Sequence, residues 1–147
     1  MLRCMAEPTP PTVFPGLMYR DAHAAIDHLV EAFGFEVVQV VPREDGQVVH
    51  AELRLGNGLV MLTSTPSDPD SPFDWGPSGV SVVVDDPDAH FARAEAAGVE
   101  VVLGLRDTPY GARDYTVRDR EGNFWTFGTY QPFATMPAAP SPADATA

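Results

Sequence analysis

The sequence contains no lysine, because its nine basic residues are all arginines. Without a lysine amine the chain cannot form a Schiff base with a carbonyl substrate or supply the phosphate-binding lysine of a P-loop. The 21 acidic residues outnumber the nine arginines and give a formal net charge of -12. The negative electrostatic field of such a protein repels nucleic-acid backbones and anionic membrane surfaces. We therefore exclude both lysine chemistries and expect neither a nucleic-acid nor a membrane partner.

Cysteine and long apolar runs are equally scarce. The single cysteine, Cys4, lies in a proline-rich segment, which excludes a disulfide framework and a thiolate metal cluster. No apolar run approaches the ~20 residues that cross a bilayer, and the first residues, MLRCMAEPTPP, lack the apolar stretch of a secretory signal. We expect a cytoplasmic protein.

The remaining composition is that of one globular domain. The chain has 147 residues, of which 44% are hydrophobic, enough for a single core. Prolines and small residues concentrate at both ends and in one internal stretch. The predicted organisation is a flexible tail at 1–11, a domain at 12–132 made of units 12–64 and 79–132 joined by a linker at 65–78, and a disordered tail at 133–147.

The two units repeat each other when residue n is compared with residue n + 64. Asp21 then meets Asp85, and Gly58 meets Gly122. In each unit an apolar strand leads to an aspartate that can cap a helix, and the helix stops at a glycine. The predicted helices are 22–33 and 87–97, and the predicted strands are 13–19, 36–41, 48–55, 59–63, 79–84, 99–105, 112–118 and 123–129. The sequence therefore predicts an α+β fold of two βαβββ repeats, which form a curved mixed sheet around a cleft with the helices on the outer face.

Alternation along two strands indicates which residues line that cleft. In 48–55, His50, Glu52 and Arg54 share one face, opposite apolar neighbours. In the matching strand, Asp114, Thr116 and Arg118 share the corresponding face. We expect a cleft lined by these polar groups and by aromatics of the last strand, Phe124, Trp125 and Phe127.

Five motifs stand out in chain order: Tyr19-Arg20-Asp21, Ala32-Phe33-Gly34-Phe35, His50-Ala51-Glu52-Leu53, Tyr110-Gly111-Ala112-Arg113-Asp114-Tyr115 and Arg118-Asp119-Arg120-Glu121-Gly122-Asn123. Together they resemble the vicinal oxygen chelate superfamily, which includes glyoxalase, bleomycin-resistance proteins and extradiol dioxygenases, and in particular its small, PhnB-type glyoxalase-like members. The resemblance covers about 120 residues in the family's order. It implies a homodimer whose clefts are completed between subunits.

The resemblance also implies where a metal would bind. Metal-dependent members place one His or Glu ligand on the first and last strand of each unit. Those positions fall near Phe14, Met61 or Leu62, Gly79 or Val80, and Trp125 or Thr126, none of which is a convincing ligand. We therefore expect no cofactor and no catalytic metal.

His50 and Glu52 have two open interpretations. A histidine beside a carboxylate can serve as an acid and a base near neutral pH, which would make the protein a lyase or an isomerase, with Asp114 completing an atypical metal site in one variant of this idea. Alternatively the two residues form a solvated or dimer-facing pair whose charge is balanced by Arg54 or Arg118.

Aromatic side chains at loops and strands favour a binding role. Flat rings contact planar ligands, and nearby carboxylates favour cationic ones. We expect a homodimer that binds a small, planar or cationic molecule, as bleomycin-resistance-like proteins do; a purely structural or regulatory protein would have no ligand. The predicted ligand contacts are His50, Glu52, Trp75, Tyr110, Arg113 and Trp125, with Trp75 at the cleft mouth.

Overall fold

A computed structural model of the chain describes residues 11, 13–74 and 76–132. Apart from Pro11, both predicted tails lie outside the described residues, and so does Trp75. Within the described residues each half has the predicted order of elements. The first half contains β1 (Gly16–Tyr19), α1 (Ala22–Phe33), β2 (Glu36–Pro42), β3 (Val48–Leu55) and β4 (Gly58–Ser64). The second contains β5 (Gly79–Val83), α2 (Pro87–Ala96), β6 (Glu100–Asp107), β7 (Arg113–Arg118) and β8 (Phe124–Gly128).

Each half forms a four-stranded mixed sheet of the same topology. The strand orders are β1-β4-β3-β2 and β5-β8-β7-β6. The first strand of each half pairs in parallel with the last one, through α1 or α2 as the crossover, and the other pairs are antiparallel. The predicted α+β class with two βαβββ halves is therefore confirmed.

Aspartate caps begin both helices. The Asp21 carboxylate accepts a 3.1 Å hydrogen bond from the Ala24 amide, and Asp86 accepts one of the same length from Ala89. The second cap is thus Asp86 and not Asp85, because Pro87 occupies the first helical position, where its missing N–H costs nothing. No helix among the described residues is long and apolar enough to cross a membrane.

The helices hold the two halves together. α1 and α2 lie against each other, and buried residues of both halves form one cluster. The Phe33 ring at the end of α1 lies 4.7 Å from the Phe127 ring and 5.5 Å from the Trp125 ring, measured between centroids. The core is therefore continuous across the two halves.

Within the described chain the second face of each sheet has no helix or strand packed on it. The backbone of each strand lies beside its own sheet neighbours and the helices, and side chains of the two sheets meet in the shared core. We call the face opposite the helices the open face of each sheet. The described chain therefore presents two open faces, one on the curved sheet of each half.

Candidate functional site: the two open faces

The first open face carries the polar row predicted on β3. Ala51 and Leu53 are fully buried against the helices, whereas His50 and Glu52 lie half-buried on the other side. The strand register sets Val41 beside His50 and Gln39 beside Glu52. Alternation along one strand therefore placed these two side chains correctly on a shared face.

His50 and Glu52 are in direct contact on this face. Nε2 of His50 donates a 2.9 Å hydrogen bond to Oε1 of Glu52, which also accepts one of 3.3 Å from Nε2 of Gln39. Both side chains remain partly open to solvent, so an incoming ligand can reach them. An imidazole held by a carboxylate can accept or donate a proton at the ring edge. The geometry suits proton transfer and polar ligand binding equally.

The expected charge balance differs from the observed one. Arg54 pairs with Glu36 at 2.8 Å and not with Glu52. Arg118 pairs with Glu100 at 3.4 Å, at the same place in the second half. Both arginines reach the strand beside them, because that strand presents a carboxylate directly opposite. Neither arginine therefore neutralises the His50 and Glu52 pair.

The second open face contains a buried carboxylate. Asp114 is 5% exposed and accepts a 2.9 Å hydrogen bond from Nε of Arg106. Beside it, Thr116 and Thr126 share a hydrogen bond of 2.9 Å, and the Arg118 guanidinium lies 4.8 Å from the centre of the Phe124 ring. The predicted row Asp114, Thr116 and Arg118 is observed, and Arg106 joins it from β6.

Two exposed tyrosines stand at one end of this face. The rings of Tyr110 and Tyr130 meet edge to face with centroids 5.5 Å apart. They border a cavity of about 260 Å³ that also contacts Asp114 and Thr126. Tyr110 was predicted as a ligand contact. Tyr130 was not, although an aromatic residue immediately after the last strand was a visible signal.

Trp125 lies on the opposite side of the sheet, in contrast to the prediction that it contacts ligand in the cleft. Its side chain is fully buried, packs against Phe33 and Phe35, and donates a 3.1 Å hydrogen bond from Nε1 to Asp119. Phe127 faces the same way. Successive side chains of β8 alternate, so of the three aromatics only Phe124 reaches the open face.

Arg113 also lies away from the open face. Its Nε and Nη2 each donate a 2.9 Å hydrogen bond to Asp88 on α2, and Nη1 donates one of 3.2 Å to Asp107. These ion pairs raise the pKa of Arg113 and lower that of Asp88. The predicted ligand contact is instead a link between β7 and α2.

Phe73 is exposed in the connection between the halves.

The residues present do not fit the family's metal. On the open faces, the strands that carry its ligands present Met61 on β4, Ser81 on β5 and Thr126 on β8, and none of these is a usual ligand for a divalent ion. Among the described residues no group of three or more His, Cys, Asp or Glu side chains is close enough to hold one. Asp114 is accordingly not brought together with His50 and Glu52.

Comparison with known proteins identifies the family. The model of the Glyoxalase/Bleomycin resistance protein/Dioxygenase superfamily matches residues 12–127. The chain belongs to this superfamily. An uncharacterised protein of Mycobacterium tuberculosis (strain ATCC 25618 / H37Rv) is 35% identical over 135 residues, which cover 84% of this chain and 77% of that protein.

Solved structures of the superfamily share the fold. TioX from Micromonospora sp. ML1 is 37% identical with a TM-score of 0.70, and the match covers 81% of this chain and 99% of TioX. A lactoylglutathione lyase from Agrobacterium tumefaciens has a TM-score of 0.62 at 24% identity, with 82% of this chain and 96% of the lyase covered. The lyase shows likeness of fold alone.

Proposed function

We propose that this member of the superfamily is a homodimeric binding protein that holds a small, planar or cationic molecule without a catalytic metal. Its two clefts form where the first open face of one subunit meets the second open face of its partner. The observation that carries this proposal is the pair of open faces: the first presents His50 and Glu52, and the second presents polar and aromatic side chains, which the described chain leaves uncovered. We further propose a cytoplasmic location, which the single cysteine supports.

The apolar parts of both faces support a second copy as the covering partner. β2 is exposed along its whole length, and β6 is almost as exposed. Val41 beside His50 and Leu103 beside Thr116 are each more than 40% exposed. Water contact with such surface is unfavourable. One twofold operation covers all four faces of two chains, because it pairs each first face with a second face.

The ligand class follows from rings and charge. Tyr110, Tyr130 and Phe124 offer flat apolar surface at the second face, and the first face would add the Glu52 carboxylate. The net charge of -12 draws cations toward the protein. A planar cation satisfies both features, since it can stack on the rings while its charge approaches the carboxylates.

A second candidate is a lyase or isomerase that uses His50 and Glu52 as an acid and a base. The 2.9 Å contact between the two side chains favours it, because a carboxylate orients the imidazole for proton transfer. If this is correct, Glu52→Gln abolishes turnover of any substrate found. The matched change Glu31→Gln, on the exposed side of α1, leaves turnover unchanged. Equal rates in both variants would refute the acid and base role.

Native mass spectrometry of the untagged protein, purified without chelator, tests the binding proposal first. We expect a dimer without a transition metal, carrying an extra organic mass in at least part of the population. A monomer, or one metal ion per chain, contradicts the proposal. Absence of any organic mass, together with failure in the titration below, supports a purely structural role.

A titration with two planar dyes then tests the ligand class. We expect saturable binding of the cation ethidium and none of the similarly sized anion anilinonaphthalene sulfonate. Tyr110→Ala weakens ethidium binding by about tenfold, since one stacking partner is lost. Phe73→Ala, which removes an exposed ring from the connection between the halves, leaves binding unchanged. Preference for the anion contradicts the assignment of a cationic ligand.

A further inference from the structure

A separate cavity of about 410 Å³ lies between the two halves, away from the open faces. The beginning of α1 forms one wall with Arg20, Asp21 and Ala24, and the turn between β7 and β8 forms another with Arg120 and Glu121. The volume is in the range of small-molecule sites. The walls come from segments about one hundred residues apart in sequence, so the cavity exists only when both halves are packed together.

His28 lines this cavity and has no hydrogen-bond partner among the described residues. The residue is 8% exposed and touches the Phe33 ring edge to face, but neither ring nitrogen is hydrogen bonded to any described residue. No fully enclosed polar side-chain atom of the described residues lacks a partner, so the unpaired His28 nitrogens are open to solvent, and the residue lines the cavity. A ligand in the cavity can therefore form a hydrogen bond with this ring.

The carboxylates around the cavity already accept hydrogen bonds from the protein. Glu121 accepts hydrogen bonds of 2.6 and 3.0 Å from the amides of Arg20 and Asp21. Asp119 accepts from Tyr19 and Trp125, and Asp21 accepts from the amide of Ala24. These bonds bind the halves together and cap α1.

The side chains of the two arginines at the cavity have no partner within the part of the chain that the structure describes. The guanidinium groups of Arg20 and Arg120 form no ion pair or hydrogen bond with any residue in the described part of the chain. The Arg120 charge lies close enough to His28 to help lower its pKa, after the larger effect of burial. The N–H donors of both guanidinium groups are therefore available to a ligand, beside three carboxylates that accept hydrogen bonds from neutral donors.

Each half builds the same elements without the polar residues that the other half contributes to the cavity. Residues 64 positions later than Arg20 and His28 are Val84 and Ala92, and the residue 64 positions before Arg120 is Gly56. The strands and helices form equally well there. The two arginines and His28 are therefore not required by the βαβββ fold, and a ligand offers a reason for their presence.

We propose that this cavity binds the carboxylate or phosphate group of a small anion, with Arg20 and Arg120 supplying charge and His28 supplying a ring hydrogen bond. Guanidinium groups bind both oxyanions through paired N–H donors. Burial keeps His28 neutral near neutral pH, and a neutral imidazole donates one N–H. The site is independent of the open faces, so its failure would leave the proposed function untouched.

Nitrogen-15 NMR of the full chain tests the site with three probes: inorganic phosphate, malonate and neutral acetamide. The His28 ring and the Trp125 indole, which is bonded to Asp119 beside the cavity, report binding. We expect saturable shifts with at least one anion and none with acetamide. A response to phosphate alone identifies a phosphate site, and a response to malonate alone identifies a carboxylate site. No saturable shift with either anion overturns the proposal.

Substitutions at exposed arginines give the matched comparison. Arg120→Ala and Arg20→Ala are each expected to weaken anion binding by about tenfold, since one charged donor is lost. Arg43→Ala removes an equal charge at the β2–β3 turn, where Arg43 pairs with Asp45, and leaves binding unchanged. Equal affinity in all three variants would show that the NMR response is a general effect of ionic strength, and it would overturn the proposal.

Discussion

The hydroxyl of Tyr19 in β1 donates a 2.7 Å hydrogen bond to the buried carboxylate of Asp119, which follows β7 in the other half. The same carboxylate accepts a hydrogen bond of 3.1 Å from Nε1 of Trp125 and hydrogen bonds of 3.0 Å from the backbone amides of Glu121 and Asn123. Burial and the nearby Asp119 charge raise the pKa of Tyr19, so its hydroxyl stays protonated and keeps donating. One carboxylate therefore links the first strand, the last turn and the core.

Removal of this carboxylate is expected to destabilise the whole domain. Asp119→Ala leaves the Tyr19 hydroxyl and the Trp125 indole buried without an acceptor, and we expect a loss of about 3 kcal/mol in the free energy of unfolding. Tyr19→Phe removes one donor only and is expected to cost about 1 kcal/mol. Urea unfolding measures both. Tyr130→Phe, at an exposed ring, is the control, and equal stability of all three variants would contradict the linking role.

Phe33 is expected to couple the stability of the two halves. Its ring contacts Trp125 and Phe127 across the boundary between them. Phe33→Ala leaves a cavity there, and we expect a loss of about 3 to 5 kcal/mol with a single unfolding transition, since both halves share the core. Calorimetry measures the enthalpy and the number of transitions. The exposed Phe73→Ala is expected to change stability by less than about 0.5 kcal/mol; two separate transitions in the native chain would refute one shared core.

The sequence predicted the open faces where polar and apolar residues alternate, and failed where they do not. On β3 the polar row is unambiguous, and His50 and Glu52 were placed on the correct face. On β8 the segment Phe124-Trp125-Thr126-Phe127 is aromatic on both faces, so alternation could not show which rings face the core. Arg113 was misplaced because its partner Asp88 lies on α2, 25 residues earlier. Contacts of this range, including Tyr19 with Asp119, have no local pattern in the sequence.

Acidification is expected to destabilise the folded chain from near neutral pH. Burial lowers the pKa of His28 and of His90 below the ordinary 6.5. At His28 the Arg120 charge lowers the pKa further, whereas Asp119 and Glu31 oppose the shift. At His90 the hydrogen bond to the Phe33 carbonyl opposes the shift, whereas Arg93 adds to it. The unfolded chain therefore binds protons at a higher pH than the folded chain does. The contribution of these histidines to the free energy of unfolding is fully present above about pH 7.5, and it falls as the pH drops below 6.5 toward the lowered pKa values of the folded state.

Urea unfolding at pH 7.5 and 5.5, in buffers without oxyanions, measures this loss. His28→Gln and His90→Gln are each expected to reduce the difference between the two pH values, because glutamine does not titrate. His90 is also hydrogen bonded to Tyr115 and to the Phe33 carbonyl, so its variant is expected to be less stable at both values. A double variant with the full wild-type difference would show that other groups cause it.

A charge placed on either open face is expected to break the proposed dimer. Val41 and Leu103 sit on the first and second faces, so each would be enclosed when the faces meet. Burying an aspartate there costs about 3 kcal/mol, and each substitution occurs twice in a twofold dimer, so Val41→Asp or Leu103→Asp is expected to weaken the dimer by about ten-thousandfold. Sedimentation equilibrium measures the dissociation constant. Val13→Asp, at an 82% exposed position before β1, leaves it unchanged. If Val41→Asp and Leu103→Asp both dimerise like the wild type, the two faces do not meet, and the ligand sites must lie within single chains.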